Sequence, residues 1–247
     1  VAMRRLFIFG LGYSAGYIAR AAEARGIEVI STGREGTLAF DDAGTVRMAL
    51  ADADAVLSSV PPGGEGLDPV LEAYGDALGG KWLGYLSSTG VYGDTGGAWV
   101  DETAPTVGTG SSGRRTARAA CDAAWLERGA RVLRLPGIYG PGRSALDRVR
   151  EGRAHRIDLP EQVFSRVHVA DIASGAIAAL GGPAGAYNLA DDRPASQNAV
   201  IEEACRLLGQ PIPPLLALEE AGLSPMARAF YAENRRVANG KARRVLG

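Results

Sequence analysis

The chain is poor in the residues that build metal centres and redox pairs. Its 247 residues include two cysteines, Cys121 and Cys205, and two histidines, His155 and His168. None has the spacing of a metal-ligand or disulfide pair, so no metal site is expected. The cysteines lie far apart on predicted helices and read as small core residues, kept reduced in a cytoplasmic protein. An excess of charge is also missing. The 27 basic and 28 acidic side chains leave a formal charge of −1, which gives no electrostatic case for nucleic acid or an anionic membrane. No apolar run approaches the ~18 residues of a membrane span, and the first residues do not read as a signal peptide. Glycine, by contrast, is abundant, with 34 copies that suit many tight strand–helix turns. A hydrophobic share of 46% is enough for a real core, either one large α/β domain or a core with a smaller lobe.

The most informative stretch is Leu6-Phe7-Ile8-Phe9-Gly10-Leu11-Gly12-Tyr13-Ser14-Ala15-Gly16. A short apolar run ends in closely spaced glycines, and an Ala-rich helical pattern follows. Gly10 lets the turn take angles that a Cβ would hinder. Gly12 leaves room for a pyrophosphate near the main chain, and Ala15 is small where helix and strand pack. The free N–H groups of Tyr13, Ser14 and their neighbours then face an anion. The unit from Arg4 to Arg34 has the ~30-residue length of a β-α-β mononucleotide unit.

Further strands are predicted at Ile27–Ser31, Thr45–Met48, Ala55–Val60, Trp82–Ser87 and Ala130–Leu135. Helices are predicted at Ala15–Arg25, Asp68–Leu78 (Asp68 as N-cap, Pro69 in the first turn) and Arg114–Arg128. Asp94 to Gly113 reads as a long loop. Beyond Gly142 the pattern loosens, with helices at Ser144–Glu151, Val169–Leu180 and Ala195–Leu208, a strand at Ala186–Leu189, and a helical tail after Pro214. Strands alternating with helices argue for a Rossmann-type, doubly wound parallel sheet of the α/β class. We assign residues 1–142 and 165–192 to the dinucleotide-binding core, and 143–164 and 193–247 to a smaller substrate-side lobe.

The end of the second strand bears on the cofactor. A Rossmann protein that prefers NAD usually carries an acidic residue there. This chain has Thr32-Gly33-Arg34 instead, and an arginine suits the 2′-phosphate of NADP through fork-like, charge-assisted bonds. NADP(H) is therefore expected over NAD(H). Ser59, Val60, Pro61, Ser87 and Pro136, at or just past the ends of predicted strands, complete the expected cofactor contacts.

Three further motifs carry a family resemblance. Ser87-Ser88-Thr89-Gly90-Val91-Tyr92-Gly93, Leu133-Arg134 through Tyr139-Gly140-Pro141, and Val167-His168-Val169-Ala170-Asp171-Ile172-Ala173 resemble, in order and spacing, blocks of the extended short-chain dehydrogenases/reductases. Arg235-Arg236-Val237-Ala238-Asn239 is similar to a segment of an atypical, epimerase/dehydratase-like branch. The resemblance covers Phe7 to Ala190. It implies a substrate-oxygen partner at Ser88, a small-molecule substrate, and the helix-paired homodimer common among relatives. It also implies residues beyond Gly247, where many relatives continue. Active members carry a Tyr-x-x-x-Lys pair, because a free tyrosine with a pKa of about 10 needs a neighbouring cation to work near neutrality. The matching window, Ser111 to Arg118, holds neither. Its Arg114, Arg115 and Arg118 fit an anion contact or, by preference, a solvated helix face. Asp94, Asp101, Glu102 and His168 are weaker candidates whose bland role is turn capping or a structural hydrogen bond. Two functions stay open: an NADP-dependent oxidoreductase or epimerase/dehydratase-like enzyme, and a cofactor-binding sensor or interaction module without turnover.

Overall fold

The side-chain alternation of the first strand builds a core on both faces of a sheet. Leu6 and Ile8 enter one apolar cluster, and Phe7 and Phe9 enter the other. The computed structural model describes residues 2–64, 66–106 and 113–247. The chain runs β1 (Arg5–Phe9), α1 (Tyr13–Glu23), β2 (Glu28–Ser31), α2 (Ala43–Ala51), β3 (Ala55–Ser58), α3 (Pro69–Tyr74), β4 (Trp82–Ser88), β5 (Trp99–Val100), α4 (Gly113–Glu127) and β6 (Arg131–Leu135). There follow β7 (Gly137–Tyr139), α5 (Ala145–Arg150), β8 (Arg156–Ile157), β9 (Arg166–His168), α6 (Val169–Ala179), β10 (Gly185–Asn188), α7 (Gln197–Leu208), β11 (Leu215–Leu216), α8 (Pro225–Tyr231), β12 (Arg236–Val237) and α9 (Gly240–Val245).

Among the described residues, six strands form one parallel sheet in the order β2-β1-β3-β4-β6-β10. This is the expected Rossmann-type α/β fold. From β1 the chain moves outward to β2, then crosses back to β3 on the other side. That reversal opens a crevice beyond the carboxyl ends of β1 and β3, where doubly wound sheets bind ligands. Helices α1 and α6 pack side by side on the Leu6 face. Val46 of α2, Tyr74 of α3 and Trp125 of α4 close the Phe7 face.

One predicted strand is a helix. Thr45–Met48 lies inside α2, because Asp42 caps the segment: its carboxylate accepts from the Thr45 amide at 3.3 Å and hydroxyl at 2.8 Å. Val46 and Leu50, one helical turn apart, are fully buried, a period-3.6 pattern that four residues were too few to reveal. The sheet therefore ends at β2. The Asp68 cap is as expected, accepting from the Val70 and Leu71 amides at 3.0 Å each. That helix stops at Tyr74 and continues as a 3₁₀ turn over Gly75–Ala77. The predicted loop from Asp94 contains β5, which pairs with β12 near the C-terminus; its residues 107–112 lie outside the described residues. Both cysteines are buried, and burial pushes the Cys121 thiol up to about 11. Among the described residues no helix is long and apolar enough to cross a membrane.

Candidate functional site

The carboxyl ends of β1, β3, β4 and β6 meet in a cleft of about 1360 Å³. Its sheet side includes Gly12, Ser59, Ser88 and Pro136, and Arg166 of β9 and Phe230 of α8 also line it. The turn after β1 is held from behind. Gly10, at φ +83°, donates its amide to Thr32 Oγ1 at 3.2 Å, and Leu11 donates to the Thr32 carbonyl at 2.8 Å. The Ser59 hydroxyl donates to the Gly10 carbonyl. Thr32 is thus buried as a brace for the turn, while Gly33 packs so close that a Cβ would sit 2.7 Å from the Leu11 nitrogen. Val60 and Pro61 follow β3 at the same sheet edge but do not line the cleft.

Helix α1 begins at this turn with Gly12 as N-cap. No side chain caps it, and its first turn carries no acidic residue. The first helical hydrogen bond runs from Gly16 to the Gly12 carbonyl, so the amides of Tyr13, Ser14 and Ala15 have no helical acceptor. They lie at the positive end of the helix dipole, beside the cleft. A Cβ on Gly12 would meet nothing within 4 Å, and Gly12, Tyr13, Ser14 and Ala15 all border the cleft. Ala15 is buried against the sheet. At the end of β2, Arg34 is exposed and makes no hydrogen bond or ion pair with the described residues.

Ser88 lines the cleft, its Oγ accepting from the Gly90 amide at 3.0 Å. The hydroxyl proton stays available for a second partner. Ser87 also borders the cleft, but its hydroxyl turns inward to Asp122 at 2.6 Å. Asp122 in turn holds Arg134 through two bonds of 3.0 and 2.7 Å. These ions are 1% and 3% exposed. Arg134 also donates to Tyr92 Oη at 3.0 Å, and Tyr92 donates to Asn188 Oδ1 at 2.7 Å. Burial alone would lower the Arg134 pKa, but the bond and charge of Asp122 outweigh it and raise the value. This buried chain ties β4, β6 and β10 together at Ser87, the residue before Ser88. Sequence reasoning quoted Arg134 within a motif without seeing its partner; the only signal was an acid on a predicted helix.

Arg118 corrects the expected solvated helix face. It lines the cleft, donates to Tyr85 Oη at 2.9 Å and to the Leu86 carbonyl at 3.3 Å, and sits over the Tyr85 ring. The side chains of Arg114 and Arg115 lie outside the described residues. The weaker candidates take their bland roles. Asp94 accepts from the Gly96 and Asn234 amides, Asp101 from Thr103, and Glu102 from the Asn188 amide. His168 caps α6 through Nδ1, 3.0 Å from the Ala170 amide, and meets the Tyr139 ring edge-on. A carboxyl that sequence reasoning missed, Asp191, borders the cleft just past β10, and burial raises its pKa.

These features define a Rossmann-type α/β protein with an open glycine-rich turn at the sheet's crossover. The chain is 30% identical to Protein YeeZ of Escherichia coli (strain K12) over 244 residues, with 84% of this chain and 85% of that protein covered. It belongs to the family of that protein. A conserved protein of unknown function from Silicibacter pomeroyi DSS superposes with a TM-score of 0.86 at 39% identity, covering 99% of this chain and 92% of that one. The fold is shared with the UDP-glucose 4-epimerase of Thermus thermophilus, solved with NAD, at TM-score 0.72 and 19% identity over 97% and 92% of the two chains. No family model matches the chain.

Proposed function

We propose that this chain binds NADP(H) in the cleft and acts on a small molecule as an oxidoreductase, or as an epimerase or dehydratase that uses the cofactor transiently. The observation that carries this is the uncapped start of α1 facing open space over Gly12. The amides of Tyr13, Ser14 and Ala15 would hold the pyrophosphate, and Arg34 would pair with the 2′-phosphate. Once bound, a nicotinamide donates or accepts a hydride. The chain's own contribution is placement: Ser88 orients a substrate oxygen, and the lobe of residues 143–164 and 193–247 walls the substrate side. The cytoplasm, where both cysteines would stay reduced, is the proposed location.

Titration with NADPH and NADH, then incubation of the NADPH complex with a panel of carbonyl compounds, tests this. NADPH is expected to bind tighter. In Arg34→Ala that preference should fall by roughly 10- to 100-fold, the value of charge-assisted hydrogen bonds; an unchanged preference rejects the Arg34 role. Where a substrate is turned over, Ser88→Ala should cut kcat/KM by about 100-fold with NADPH affinity kept, a loss typical of one oriented polar partner. Normal turnover in that variant removes Ser88 from the chemistry.

A second reading, a cofactor-binding sensor without turnover, is favoured by one observation. Arg118, in the window that lacks the pair, carries a guanidinium, which does not shuttle protons, and is tied to Tyr85 and Leu86. Bound NADPH that no carbonyl consumes would support it.

A further inference from the structure

The segment Gly140-Pro141-Gly142-Arg143 has a use that its motif status does not explain. It is a tight turn closed by two backbone bonds, Arg143 N to Gly140 O at 2.9 Å and Gly140 N to Arg143 O at 3.2 Å. Pro141 occupies the position that favours its fixed φ, and Gly142, at φ +76°, the position that needs a left-handed residue. That is the sequence of a type II turn. The turn is pressed against the start of α1. Tyr13 Oη donates to the Pro141 carbonyl at 2.8 Å, and a Cβ on Gly140 would lie 2.7 Å from that same tyrosine oxygen.

This seating carries Arg143 across to the glycine-rich turn. Its guanidinium carbon stands 4.3 Å from the centroid of the Tyr13 ring. Arg143 borders the cleft together with Gly12, Tyr13 and Ser14, and is exposed. No carboxylate among the described residues pairs with it. The nearby acid, Asp147, is already engaged by the Ser144 amide at 3.0 Å and hydroxyl at 2.8 Å. The Arg20 guanidinium carbon lies similarly over the Tyr17 ring, at 4.4 Å, but Arg20 does not border the cleft.

We propose that Arg143 is a dinucleotide ligand delivered from the lobe side of the cleft, its guanidinium closing over the pyrophosphate position at the start of α1. The inference rests on the cofactor reading above. Contact with the Tyr13 ring holds the guanidinium near the start of α1 before the anion arrives. The helix amides then approach the pyrophosphate from one side and Arg143 from the other. Cofactor binding would thereby tie the turn after β7 to α1.

The test is binding rather than turnover. NADPH, ADP-ribose and adenosine 2′-monophosphate are titrated against the wild-type chain, Arg143→Gln, Arg143→Lys and Arg20→Gln, with melting curves to verify folding. Arg143→Gln should weaken NADPH and ADP-ribose, which share the pyrophosphate, by the same roughly 10- to 100-fold. Adenosine 2′-monophosphate, which lacks it, should bind as to wild type. Arg143→Lys should recover part of the loss, and Arg20→Gln should lose nothing. Unchanged NADPH affinity in folded Arg143→Gln overturns the Arg143 role alone, as does an equal loss for adenosine 2′-monophosphate. A wild-type chain that binds neither NADPH nor NADH overturns the cofactor reading and this inference with it.

Discussion

A Gly12→Val chain should fold normally and lose its dinucleotide. The two halves of that result come from the same local geometry. Gly12 sits at φ −121° and ψ −155°, extended backbone that a β-branched residue accepts. A Cβ there meets no atom within 4 Å. Exchanging glycine for valine at an N-cap costs about 1 kcal/mol, so the melting temperature should fall by no more than about 4 °C. The isopropyl group would, however, fill the space in front of the Ser14 and Ala15 amides. A pyrophosphate could no longer reach them, and affinity should drop by at least about 100-fold. Titration beside a melting curve checks both halves. Retained binding by a folded variant would count against the whole reading of the turn.

The largest stability effect is expected at the buried ion pair. Asp122→Ala leaves Arg134, 3% exposed, without its counter-charge, and strips the Ser87 hydroxyl of its acceptor. Breaking such a pair from one side costs about 3–5 kcal/mol, a fall of roughly 6–20 °C in melting temperature for a chain of this size. The double variant Asp122→Ala/Arg134→Met should recover much of that loss, since the penalty lies in the orphaned charge rather than in the missing attraction. Calorimetric melts of both variants measure this. A single variant within about 2 °C of wild type would mean that the guanidinium finds another partner.

The sequence made much of the sheet legible because its strands are short apolar runs, several of them stopped by glycine or proline. β1 stops at Gly10, and β6 stops at Pro136. The start of α1 was legible for the same reason: a turn, a cap and a helix are local. What was lost depends on distance. Thr45–Met48 looked like a strand because four residues cannot separate a period of 2 from one of 3.6, and the Asp42 cap lies before them. Arg118 looked solvated because its acceptors, Tyr85 and Leu86, are on another element. The Asp122–Arg134 pair joins a helix to a strand, and neither residue alone announces the other. Arg143 escaped notice because its neighbour Tyr13 is far from it in the sequence. Fold follows from local pattern here, whereas most of the site is made by contacts between elements.

The pairing of β12 with β5 bears on the order in which the molecule assembles. Val237 lies opposite Val100, and Thr95 bonds the Asn234 carbonyl from 139 residues away. The same late segment satisfies groups that β-sheet formation leaves open: the Val237 amide meets Ser165 Oγ, and the Ala238 carbonyl meets the Asn188 side chain. A ribosome making this chain releases the sheet strands long before the residues that stitch them to the loop after β4. Closing so long a loop is slow. The nascent core would therefore wait, partly unlatched, until β12 emerges, and a chain arrested before Asn234 would show its unfinished edge to proteases.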